Sequence, residues 1–179
     1  AWRTAYDALS LPVDASITKH RREWRAALGL PPLVPTGPGV HGRLRVVGPQ
    51  LHDDRGPVRW KQVTGFRSFE YFASGQDVDA YLDWIIGVGG NGIRFFLNWR
   101  QVELEYLRIA DADSKLHAYA QHLSAKGLRG ECVAICDRLV PDEVTFLNRI
   151  ADIAQHHDNL TMECWNEPYD GNAIIDPNS

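Results

Sequence analysis

Cysteine is scarce in this chain: three among 179 residues, an odd number, which argues against a disulfide-stapled scaffold. Cys132 and Cys136 sit four apart in a segment that reads as a strand, so about 13 Å separates them at about 3.3 Å per residue. That span is too long for a disulfide or for two ligands of one zinc ion. With Cys164 they read as small buried hydrophobes, and neither a metal nor a cofactor is expected. Long apolar runs are also lacking. No stretch of about eighteen apolar residues is present to span a membrane, and no basic-then-apolar signal follows Ala1. Nor is there an excess of positive charge, since a formal net charge of -4 gives no reason to expect nucleic acid. What the chain does have is 44% hydrophobic residues, enough for one core of ordinary size.

Residues 1–30 read as a separate helical segment. Asp14 or Ser16 can cap it, Ile17, Trp24 and Leu28 share one face, and Gly29 is placed to end it. Lys19, Arg21, Arg22 and Arg25 form the other face, which is either solvated or an attachment surface. Residues 31–42 hold four prolines and three glycines, a composition that suits a linker rather than a helix or a central strand. From residue 43 onward, Leu44 to Val47 and Val58 to Trp60 flank a turn-rich stretch at 53–57, which predicts a hairpin.

A repeat follows. Strands are expected to begin near 61, 92, 130 and 160, each separated by one amphipathic helix. The first helix starts at Asp77 and carries Val78, Tyr81, Leu82, Ile85 and Ile86 on one face. The second carries Leu116, Tyr119, Ala120 and Leu123 and stops at Gly127. The third starts near Pro141, with Val144, Leu147, Ala151 and Ala154 as its expected core face. His156 and His157 continue that helical pattern and read as surface residues. Alternation of this kind predicts an α/β fold with a parallel sheet and right-handed crossovers. Gly87-Val88-Gly89-Gly90-Asn91-Gly92 fits G-x-G-x-x-G, but a helix precedes it and a strand follows. A dinucleotide site needs the reverse, so these glycines read as a helix cap and turn.

Chemistry concentrates at Glu163-Cys164-Trp165-Asn166-Glu167-Pro168. A short apolar strand delivers an amide and a carboxyl side by side at its end, and Pro168 biases Glu167 towards extended backbone. In a parallel barrel such groups gather at the C-terminal strand ends. Arg94 lies within its strand, and Asn98 and Asp137 occupy strand ends, so all could meet Glu167 at one mouth.

These residues resemble the clan of retaining glycoside hydrolases built on (β/α)8 barrels, which includes cellulases, mannanases and β-galactosidases. The likeness spans roughly 43–170. It is carried by Gly42-x-Leu44, Leu51-x-Asp53-x-x-Gly56-Pro57 and Trp60 through Gly65, then by Gly90-Asn91-Gly92-Ile93-Arg94 with Asn98-Trp99, and last by Trp165-Asn166-Glu167-Pro168. The resemblance implies the first half, strands 1 to 4, of a TIM barrel preceded by the small helical segment. It implies Glu167 as the general acid/base, Asn166 as the ligand of the sugar 2-hydroxyl, and Arg94 as the hydrogen-bond partner of the nucleophile. Trp99, Trp165 or Tyr169 would stack on sugar rings, while Asp137 either faces the mouth or caps the next turn.

The substrate implied is an oligo- or polysaccharide. The clan's nucleophile, a glutamate after strand seven, has no counterpart in the 179 residues. A full barrel takes about 250 residues. Three settings are therefore expected: the N-terminal part of a longer hydrolase, a pairing of two half barrels, or a non-catalytic structural or sugar-binding component. In the last case residues 1–30 would anchor the chain in a larger assembly such as a virion. The compartment is left open, with an extracellular or virion-associated setting preferred.

Overall fold

The computed structural model of the chain describes residues 39–99, 105–136 and 140–166. The expected helix of residues 1–30 and most of the linker lie outside the described residues.

Three short strands open the described part: β1 (Arg45–Val47), β2 (Gln50–Asp53) and β3 (Gly56–Pro57), joined antiparallel in that order. The sequence predicts one hairpin about residues 53–57, but there are two tight turns. Val47 pairs with Gln50 across Gly48 and Pro49, and Gly48 has φ 58°, a left-handed conformation that glycine adopts without a Cβ clash. At the second turn the Asp53 carboxylate accepts a hydrogen bond from the Arg55 amide at 2.9 Å. Val58 to Trp60 runs outside any strand.

The main body is a four-stranded parallel sheet of β4 (Gln62–Thr64), β5 (Gly92–Asn98), β6 (Arg129–Ile135) and β7 (Leu160–Trp165). Spatial order equals chain order. Helices α1 (Ser68–Ala73) and α2 (Asp79–Gly87) connect β4 to β5, α3 (Ala112–Ala125) connects β5 to β6, and α4 (Glu143–Ala154) connects β6 to β7. Helix α1 falls between the strand expected near 61 and the helix expected from Asp77, where the sequence predicts no helix. It is short, and its burial of Phe69 and Ala73, rather than any intrinsic propensity, accounts for it. The glycine run at 87–90 is a helix terminus: the Gly89 and Gly90 amides donate to Ile86 O and Ile85 O at 2.9 and 2.8 Å, with Gly89 at φ 81°.

In α4 the buried residues are Phe146, Ile150, Ile153 and Ala154; of the expected face Ala154 is buried and Leu147 packs against the core, whereas Val144 is 70% exposed. Asp142, in a left-handed conformation at φ 51°, caps the helix by accepting from the Thr145 amide and so sets its phase. The longer apolar side chains at 146, 150 and 153 then face inward at helical spacing.

Strand alternation divides the sheet into two unlike faces. Val63, Ile93, Phe95, Leu97, Cys132, Ala134, Leu160 and Met162 pack with residues of all four helices in one cluster. Gly130 keeps that layer tight, because a Cβ there would lie 3.0 to 3.1 Å from Leu123, Leu160 and Phe95. On the opposite face Gln62, Arg94, Glu131 and Glu163 form a polar layer. Phe96 and Val133 of this face, with Cys136 just past β6, make a separate small cluster with Trp99 that contains no helix residue, while Ile135 at the end of β6 belongs to the main cluster.

Candidate functional site

Arg94 is the third residue of β5, level with Thr64 on β4 and Glu131 on β6. Alternation turns it away from the helices. Glu163 on β7 is turned the same way, and the two meet in a two-point ion pair. Arg94 Nε donates to Glu163 Oε2 at 2.8 Å and Nη2 donates to Glu163 Oε1 at 2.7 Å. Such parallel N–H···O bonds fix direction as well as charge. Nη2 also donates to Asn166 Oδ1 at 2.7 Å. Glu131 completes the layer, with Oε2 at 3.9 Å from Arg94 Nε and accepting from Gln62 Nε2 at 2.6 Å. The guanidinium lies over the Phe96 ring, 4.9 Å from its centroid.

The sequence-predicted residues therefore separate. Arg94 and Asn166 are brought together, and the Asn166 amide donates to Ile135 O at 2.9 Å, which seats it on the end of β6. With Oδ1 held by Arg94, the amide group of Asn166 turns its NH2 towards Cys136 Sγ, 3.5 Å away, so the side chain offers donors rather than an acceptor.

Asn98 plays a structural part. It is 2% exposed, its Nδ2 donates to Ala134 O at 3.3 Å, and its own carbonyl accepts from the Cys136 amide. Trp165 shares the row of Asn98 and Ile135 and packs half-buried against the main core. Trp99 joins Phe66 and Phe96, with ring centroids 4.9 and 5.6 Å away, and Phe66 and Phe96 stack at 5.0 Å. Phe66 is 46% exposed, so an aromatic plate with an open edge follows the ends of β4 and β5. Glu167, Asp137 and Tyr169 lie outside the described residues.

Sequence reasoning missed Glu163 as the partner of Arg94, Glu131 beside it, and Phe66 with Phe96 around Trp99. The signal for the first pair was present: Arg94, Glu131 and Glu163 each place a charge inside a mostly apolar strand, on three consecutive strands of the repeat.

A thiol nucleophile on this sheet is excluded for Cys132, because burial pushes its thiol up to about 12 and leaves it protonated at neutral pH. Cys164 is exposed, contrary to the expectation of three buried cysteines. It lies near the end of β7, the last strand in the order, where burial fades from Leu160 onward. Among the described residues no group of three or more His, Cys, Asp or Glu side chains is arranged to hold a metal ion, and no helix is long and apolar enough to cross a membrane.

Glu163→Gln is expected to cost about 1 to 2 kcal/mol of stability, because it trades a charge-assisted pair for neutral hydrogen bonding at a part-buried arginine. Urea unfolding of the variant beside the parent measures it. No family model matches the chain, and no curated protein matches its sequence.

Proposed function

We propose that this chain forms the first four βα units of a retaining glycoside hydrolase barrel, acting on the O-glycosidic bonds of an oligo- or polysaccharide, with Glu167 as its acid/base. The observation that carries this reading is the charged layer on the side of a sequentially ordered parallel sheet away from the four described helices. Parallel sheets are ordinarily covered on both faces. One with helices on a single face and polar side chains on the other suits a closed barrel whose interior is that second face. Strand order supports the same choice, since a doubly wound sheet reverses its order at the ligand crevice.

In this reading the residue held by Arg94 immediately precedes the acid. Asn166 donates to a sugar hydroxyl. Glu167 gives its proton to the glycosidic oxygen and then, as carboxylate, takes one from the attacking water. Phe66, Phe96 and Trp99 offer a flat apolar surface for the C–H face of a ring. Glu131 and Glu163 are already engaged by Gln62 and Arg94. The second carboxylate, which a double displacement needs about 5 to 5.5 Å from the first, is in this reading the glutamate that the resemblance implies after strand seven, outside this chain.

The test is an assay of the protein together with the residues that complete its barrel, on a panel of aryl β-glycosides. Hydrolysis that is lost in a folded Glu167→Gln variant is the expected result. Turnover unchanged by that substitution removes Glu167 from the mechanism, and no turnover on any glycoside overturns the reading.

A further inference from the structure

On the helix side of the molecule, away from the polar layer, two histidines meet. His117 belongs to α3 and His157 to the turn between α4 and β7; Nδ1 of the first lies 2.8 Å from Nε2 of the second, with ring centroids 5.0 Å apart. The ring of His156 is next, 6.1 Å from that of His117. Two imidazoles in such contact are satisfied when one nitrogen donates and the other accepts, which holds for the neutral pair and for a pair sharing one extra proton. A second proton sets N–H against N–H and brings two cations together.

We propose that His117 and His157 form an acid-sensitive clasp between α3 and the turn that feeds β7, closed while the pair carries at most one extra proton and open once it carries two.

Of the carboxylates around the pair, Asp113 and Asp158 already face a cation, and Asp152 accepts from Gln155 Nε2 at 3.1 Å. From α3, Asp113 lies one turn before His117, but it already accepts from Tyr106 Oη at 2.5 Å and from Arg149 Nε of α4 at 2.8 Å. Asp152 and His156 of the α4 side share with His117 and Arg149 an open groove of about 540 Å³. In the turn, the Asp158 carboxylate is 3.8 Å from Arg43 Nε of the segment before β1, so it too has a cation. Burial, then the neighbouring His117 and His156, holds His157 below the ordinary histidine range. Because the folded state disfavours its charged form, the stability this contributes is present above about pH 6.5 and is lost as the pH falls below that value towards the folded midpoint.

The opening is local. Asn159 Nδ2 donates to Ala120 O and Leu128 O at 2.8 and 3.2 Å and Arg129 Nη1 donates to Asp158 O at 3.1 Å, bonds that do not involve an imidazole, so Asp158 and the start of β7 stay docked while residues 156 and 157 loosen.

Titration of the imidazole resonances of the chain by proton NMR tests the clasp, alongside His117→Asn and His157→Asn. A coupled pair is expected to titrate in two steps in the parent, and the His157 midpoint is expected to rise by about one pH unit when His117 is replaced. Exchange of the Leu160 amide, bonded to His157 O at 3.2 Å, should quicken below pH 6 in the parent by more than the catalysed rate alone predicts. Two independent single-proton curves in the parent overturn the proposal without reference to either variant, as does a His157 midpoint unmoved by loss of His117.

Discussion

Arg129→Ala is expected to lower stability by about 3 to 5 kcal/mol, the range found when one member of a buried ion pair is removed and the other is left without a partner. Arg129 opens β6 and is 5% exposed. Its Nη2 donates to Asp53 Oδ2 of β2 at 3.0 Å, and its Nη1 donates to Gly42 O and Asp158 O at 2.9 and 3.1 Å. One guanidinium thus ties the antiparallel hairpins and the turn before β7 to the N-terminal end of the parallel sheet. Alanine would strand the Asp53 carboxylate, which is 7% exposed, together with two carbonyls. Replacing both partners with apolar residues, Arg129→Met with Asp53→Leu, should cost less than Arg129→Ala, since no buried charge then remains.

The pair also sets an acid limit. Burial alone would push the Asp53 carboxyl up, but the Arg55 amide and Arg129 outweigh it and hold the group below the usual carboxylate range. Its contribution is therefore complete above about pH 3.9 and is lost as the pH falls through the folded value. Urea midpoints at pH 7 and pH 3 should draw together in Arg129→Ala; an unaltered gap would assign the acid sensitivity elsewhere.

Phe95→Ala is the second large effect, at about 3 to 5 kcal/mol. Phe95 is fully buried at the middle of β5, edge-on to Tyr119 at 5.0 Å and tilted to Phe69 at 6.1 Å. It fills the space that Gly130 leaves on the neighbouring strand, where a Cβ would come within 3.1 Å of its ring. Truncation opens a void bounded by a sheet on one side and α1 and α3 on the other, elements that cannot both move inward. Thermal unfolding should show the loss, and Phe95→Leu should recover much of it by refilling the volume. A loss below about 1 kcal/mol would mean that the layer collapses freely.

The parallel sheet was legible because β5, β6 and β7 are mostly apolar runs preceded by glycine or polar residues and each long helix repeats at i, i+3, i+4. Leu160 to Trp165 is a strand to the residue, and the glycines at 87–90 end a helix as their order suggests. Where short-range signals compete, the reading failed. Gly48-Pro49 forms a turn that is masked by the denser turn residues at 53–57. The phase of α4 is set by its cap at Asp142 rather than by its first apolar residue. Helix α1 exists because tertiary burial holds it.

At the site, single residues were legible as types while their partners were not. Arg94 was recognisable as a cation placed inside a strand. That Glu163, two strands away in the sheet, takes it up depends on register and twist, which no local pattern encodes. Asn98 illustrates the converse, a polar residue at a strand end that serves its neighbour's backbone.

Strand order has a kinetic meaning as well. Because every strand of the parallel sheet lies beside its chain neighbour, Gln62 with Gly92, Gly92 with Arg129 and Gly130 with Leu160, each new pairing closes a loop of modest length and no long excursion precedes a favourable contact. Assembly can begin at β5, α3 and β6, where the large buried rings meet, and grow outward in both directions one βα unit at a time.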